Sequence, residues 1–180
     1  NPTPYPVKAA NDSARMRLPD PEQLRALEAT AGEAFGVRHS DRIVAAAGSE
    51  AALRAIPYVL RSSVACIVGP TYSSHADAWR RSGAQVSLVL RANDASRGST
   101  VTLVNPNNPD GAITARERVL ALHDQLRDGD GYLVVDEAFA EVEPACSVAD
   151  VAGTLRYPGL IVLRSFGKFY GLAGVRLGFV

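Results

Sequence analysis

Two rhythms alternate along this chain: short apolar runs rich in β-branched residues, and longer segments whose apolar positions recur at helical spacing. The short runs fall at 43–47, 64–68, 85–90, 100–104, 132–135 and 160–163 and predict strands. Between Asp20, placed to cap, and Gly36, placed to stop, Pro21 opens a helix with Leu24, Leu27, Ala31 and Phe35 on one face. Further helices are predicted over 51–61 and 75–81, with a weaker one near 148–155. Thr114 and Glu117 have the spacing of a capping box and open a helix that puts Val119, Leu122 and Leu126 on one face. Residues 1–19 contain four prolines and read as an extended arm with turns.

Strands that alternate with amphipathic helices predict an α/β fold, a three-layer α/β/α arrangement with a mainly parallel sheet covered on both faces. Without an internal repeat or linker, one domain over residues 1–180 is the simplest organisation. Composition narrows the partners. Lysine plus arginine equals aspartate plus glutamate at 19 each, which argues against nucleic acid or an anionic membrane as the main partner. No apolar run approaches the roughly 18–20 residues of a membrane span. Cys66 and Cys146 have no metal-ligand spacing and read as buried thiols, so no metal is expected and a cytoplasmic location fits.

In such sheets ligands bind beyond the carboxyl ends of the strands. The polar clusters of this chain fall there: Gly48-Ser49-Glu50, Tyr72, Asn108, Asp136 and the stretch from Ser165 to Gly178 each follow a predicted strand. In the last stretch Lys168 stands among small and apolar residues, with Arg176 eight positions on. Glycines at 167, 171, 174 and 178 allow tight turns and close approach to a ligand. Such surroundings predict a poorly solvated amine, in its neutral and nucleophilic form. Singly, each residue has a plain explanation: Ser49 an N-cap, Tyr72 packing, Asn108 a turn former, Asp136 a turn cap. Together they suit a phosphorylated aromatic aldehyde: an amine for the carbonyl, an anion for a protonated ring nitrogen, a stacking surface, and helix N-termini with an arginine for phosphate.

The stretch Ser165-Phe-Gly-Lys168 followed by Gly171-Leu-Ala-Gly174-Val-Arg176-Leu-Gly178 resembles the lysine motif of fold-type I pyridoxal-phosphate enzymes, the class I/II aminotransferase family. Asn105-Pro-Asn-Asn-Pro-Asp-Gly111 and Val135-Asp136-Glu137-Ala138-Phe139 resemble two other signature stretches of that family, in the same chain order. The likeness covers nearly the whole chain and implies pyridoxal 5'-phosphate as cofactor. It implies that Lys168 forms the Schiff base and shuttles protons, that Asp136 pairs with the pyridinium nitrogen, and that Asn108 donates to the ring's phenolic oxygen. By the same resemblance Tyr72 stacks on the ring and His75 orients Asp136 from behind. Gly48, Ser49 and Glu50, with Ser165 and Arg176, hold the phosphate. Phe139 stands where many relatives have a tyrosine, so a second donor to the phenolic oxygen is missing.

Two branches of the family are most similar to this chain, the threonine-phosphate decarboxylases of cobalamin synthesis and the histidinol-phosphate aminotransferases. The opening Asn1-Pro-Thr-Pro-Tyr5-Pro6, the stretch Pro70-Thr71-Tyr72-Ser-Ser-His75 and Phe139 resemble the decarboxylases more. The implied substrate is a small phosphorylated amino acid or amine, and the implied assembly a homodimer. Family members continue into a small C-terminal domain with a carboxylate-gripping arginine, so these residues are expected to be the cofactor-binding large domain of a longer polypeptide, with part of its N-terminal arm. Two other classes compete. Ser165-x-x-Lys168 also fits a serine acyl-enzyme motif, though no Lys-Thr-Gly follows, and a non-catalytic module descended from such an enzyme is the third reading.

Overall fold

The computed structural model describes residues 16–18, 20–38, 40–95 and 98–180. The proline-rich arm, apart from residues 16–18, lies outside the described residues, as does the Asn1–Pro6 stretch. Helix α1 (Pro21–Phe35) begins where the sequence places it: the Asp20 carboxylate accepts from the Glu22 amide at 2.8 Å, and Gly36 ends the helix in the left-handed conformation. Only its second half packs inward. Ala31 is buried with Ile43 and Phe179, while Leu24 and Leu27 are exposed.

The chain then runs through β1 (Ala45–Ala46), α2 (Ser49–Leu60), β2 (Val64–Val68), α3 (Ser74–Arg81), β3 (Gln85–Val89), β4 (Thr100–Val104), α4 (Arg116–Arg127), β5 (Leu133–Asp136), β6 (Leu160–Ser165) and β7 (Gly178–Phe179). The seven strands form one sheet in the order β1-β7-β6-β5-β4-β2-β3. Strands β2 to β6 are parallel; β7 pairs antiparallel with both β6 and β1. Alternate residues serve opposite faces. Val101, Leu103, Leu133, Val135, Leu160 and Val162 pack with Val119, Leu122 and Leu126 of α4. Ala65, Ile67, Val134 and Leu163 pack on the other face with α2 and α3, where Trp79 Nε1 donates to Thr102 Oγ1 at 3.2 Å. The expected three layers are present.

Three local expectations fail. The Thr114–Glu117 capping box does not form, because the Asn105 side chain clasps the Thr114 backbone, accepting from its amide and donating to its carbonyl, both at 2.8 Å. Helix α4 therefore starts at Arg116, with Ala115 at the cap position and no side-chain cap. In place of the helix near 148–155 stands a single 3₁₀ turn at Ala149–Val151, the last of three after those at Ala140–Val142 and Pro144–Cys146. These turns are pinned by the buried Glu137 carboxylate, which accepts from the Ser147 hydroxyl and the Val148 amide. The strand expected over 43–47 shortens to two residues, although Val44 and Val180 still exchange backbone bonds of 2.8 and 3.0 Å.

Candidate active site

A cavity of about 220 Å³ opens beyond the carboxyl ends of the parallel strands. Ten of the residues singled out from sequence line it: Gly48, Ser49, Glu50, Tyr72, Asn108, Asp136, Phe139, Ser165, Lys168 and Arg176. Gly167, one of the glycines noted in the lysine stretch, also lines it, and the walls between are Leu53, Val104, Ala138, Ala173 and Leu177, small or apolar residues with no side-chain chemistry of their own.

Asp136 ends β5 and is only 6% exposed. Its Oδ1 accepts from the Ala138 amide at 3.0 Å, and its Oδ2 accepts from His75 Nε2 at 2.9 Å. Because a carboxylate only accepts, this bond assigns the proton on that side of the ring to Nε2. His75 is 2% exposed, on the face of α3 turned toward the sheet. It also meets the Tyr72 ring edge-on, with centroids 6.2 Å apart. A buried carboxylate facing a cavity and held from behind by an imidazole is suited to a cationic partner within that cavity.

Across the cavity, α2 presents its N-terminus, where the first amides have no acceptor within the helix. Gly48 precedes it with φ +85°, a conformation natural only to glycine. A side chain there would also meet Arg176, whose Nη2 lies 2.9 Å from the position of a Cβ. Helix N-terminus and guanidinium thus flank one spot, with Ser165 at the end of β6 close by, an arrangement that suits a dianionic phosphate. The Glu50 carboxylate is engaged along the helix with Arg54, whose Nε donates at 2.8 Å, so its side chain turns away from that role. Gly178 approaches protein rather than a ligand: a Cβ there would overlap the Ser49 amide.

Lys168 departs from expectation in its surroundings. It lies at the pocket but is exposed, in the turn after β6 where Phe166 and Phe169 pack on Tyr170 rather than over the amine. The same turn disposes of the serine acyl-enzyme reading. Ser165 ends a strand and Lys168 closes a turn with Gly171, so no helix aligns the pair as that motif needs. Asn108 is exposed on the 105–111 loop, and the Phe139 ring carries no group able to donate a hydrogen bond.

The sequence profile of the aminotransferase class I and II family matches residues 3–180. The chain belongs to this family. It is 40% identical over 186 aligned positions to the threonine-phosphate decarboxylase of Pseudomonas aeruginosa, covering 99% of this chain and 52% of that protein. To the histidinol-phosphate aminotransferase of Frankia casuarinae it is 32% identical, covering 96% of this chain and 48% of the other. The chain thus spans about half the length of the curated relatives it matches. Its fold is that of the histidinol-phosphate aminotransferase from Sinorhizobium meliloti, solved in complex with pyridoxal-5'-phosphate, with a TM-score of 0.79, 24% identity, and coverage of 93% of this chain and 49% of that one.

Proposed function

We propose that this chain is the cofactor-binding large domain of a pyridoxal-phosphate enzyme that decarboxylates L-threonine O-3-phosphate to aminopropanol phosphate in cobalamin biosynthesis. The observation that carries the reading is the 40% identity to a threonine-phosphate decarboxylase across 99% of this chain, against 32% to a histidinol-phosphate aminotransferase over a similar span. The donor set fits the cofactor. Arg176, Ser165 and the amides at the start of α2 would hold its phosphate, Asp136 its ring N–H, Asn108 its phenolic oxygen and Tyr72 a ring face. Lys168 would supply the amine for the aldehyde carbon. When bound, pyridoxal phosphate acts as the electron sink for bond cleavage at the substrate Cα.

His75 holds the Asp136 carboxylate at the cavity, where it would face the cofactor's ring nitrogen and favour its protonated form. The Lys168 amine would also carry protons: it would return one at the substrate Cα in decarboxylation, whereas in a transaminase it would remove one. Phe139 leaves the phenolic oxygen with one side-chain donor fewer than a tyrosine would give. The complete protein would add a small C-terminal domain, act as a homodimer and reside in the cytoplasm. No helix among the described residues is long and apolar enough to cross a membrane.

The complete protein should be yellow and should release carbon dioxide from threonine phosphate without a keto-acid acceptor, and Lys168→Ala should lose both colour and activity. A colourless protein that never takes up pyridoxal phosphate would sink the proposal. Turnover only of histidinol phosphate with an acceptor would assign the aminotransferase reaction instead.

A further inference from the structure

Two of the cavity's groups sit on loops rather than on strands, and one side chain ties those loops together. Tyr72 follows β2, and Asn108 follows the neighbouring β4. Between them stands Asn107, which no sequence motif singles out from Asn108 beside it. Its Nδ2 donates to the Pro70 carbonyl at 3.0 Å and to Asp110 Oδ1 at 2.8 Å, and its Oδ1 accepts from Thr71 Oγ1 at 2.7 Å. Both amide hydrogens and the carbonyl oxygen are therefore engaged. Its backbone closes the loop as well, donating to the Ala112 carbonyl at 2.8 Å and accepting from the Gly111 amide at 2.9 Å. Asp110 completes the strap by accepting from the Ala112 amide at 3.0 Å.

We propose that Asn107 is a positioning residue that fixes the Tyr72 ring and the Asn108 amide relative to one another at the mouth of the cavity. Two of its bonds land on Pro70 and Thr71, the residues just before Tyr72; its own chain neighbour is Asn108. Movement of either loop must break bonds to the other, so the ring face and the donor amide are set before a ligand arrives. Preorganisation of this kind lowers the ordering cost of binding. The inference rests on the cofactor reading above only for the identity of the ligand; the strap itself is a property of the two loops.

The test uses the complete protein freed of cofactor, with pyridoxal phosphate affinity read by fluorescence quenching and backbone exchange by mass spectrometry. Thr71→Val removes one bond and should raise Kd roughly threefold to tenfold, as a single hydrogen bond does. Thr71→Ser keeps the hydroxyl and should bind as the parent does. Asn107→Ala should raise Kd on the order of ten- to a hundredfold, and adding Thr71→Val to it should change little more, because the shared bond is already gone. Asn107→Ala should also speed exchange in 71–77, where the His75 amide reaches the Tyr72 carbonyl at 3.3 Å. An unchanged Kd, or a Thr71→Val effect that multiplies in full on Asn107→Ala, overturns the proposal. So does a lowered melting temperature with unaltered affinity. If the parent protein binds no pyridoxal phosphate, the cofactor reading falls, and the strap stands or falls on whether exchange in 71–77 responds to Asn107→Ala.

Discussion

Replacing Arg164 with methionine probes what holds the two central site strands in place. Arg164, next to Ser165 on β6, is 9% exposed and lies between two carboxylates. Its Nη1 reaches Glu137 Oε2 and its Nη2 reaches Glu141 Oε1, each at 2.8 Å, and its guanidinium stands 4.6 Å from the Phe35 ring centre. Glu137 is fully buried, directly after Asp136, and the Ser147 hydroxyl and Val148 amide occupy its remaining acceptor positions. Methionine fills the arginine's stem but leaves both carboxylates without the guanidinium. Removing one partner of such a pair costs about 3–5 kcal/mol, several times an exposed ion pair. For a domain of this size that lowers the melting temperature on the order of 6–20 °C. Glu141→Gln, which keeps the Arg164–Glu137 pair, should cost only about 1 kcal/mol. Urea unfolding followed by circular dichroism gives both numbers, and a cycle with Glu137→Gln isolates the coupling. A loss below about 1 kcal/mol for Arg164→Met, or no coupling between Arg164 and Glu137, would refute the view that this pair clamps β5 to β6.

Gly178→Ala should destabilise by about 1–3 kcal/mol, since its methyl meets the backbone of Gly48 and Ser49 rather than a yielding side chain. It should also weaken inorganic phosphate binding at the start of α2; calorimetry that finds an alanine variant as stable as the parent would contradict the close contact. Acid should loosen the surface ties. Asp124 is held below its ordinary carboxylate range chiefly by the bidentate bonds from Arg156, and Asp110 by bonds from the Ala112 amide and then Asn107. A carboxylate whose folded pKa is depressed contributes stability above its unfolded value, and that contribution disappears as pH falls through the folded one. The melting temperature should therefore drop as pH is lowered past the ordinary value of 3.8, and Asp124→Asn should flatten part of that drop; an unchanged slope in the variant would remove Asp124 from the account.

Much of the site was legible in the sequence because it is local. Apolar periodicity marks the strands, and in a parallel sheet the residue after each strand points toward one common edge, so Asp136, Ser165 and Gly48 could be gathered without coordinates. Asp20 before Pro21 and Gly36 after Phe35 likewise state the limits of α1 within a few residues of chain. What failed or stayed hidden depends on groups far apart in sequence. The Thr114 capping box yields to Asn105 nine residues earlier, and Leu24 and Leu27 repeat like core residues but are exposed. Lys168 is exposed although the residues beside it in sequence are small or apolar, because burial depends on what packs over a turn and not on its composition.

The sequence by itself thus determined the alternation of elements, the edge at which chemistry gathers and the residue types found there. Tertiary structure alone decided how those residues are held. His75 reaches Asp136 across 61 positions, Thr71 reaches Asn107 across 36, and Arg164 reaches Glu137 across 27. Hydrophobic patterning is a short-range property read along one element, whereas these bonds form only after neighbouring strands are in register and bring distant side chains within hydrogen-bond reach.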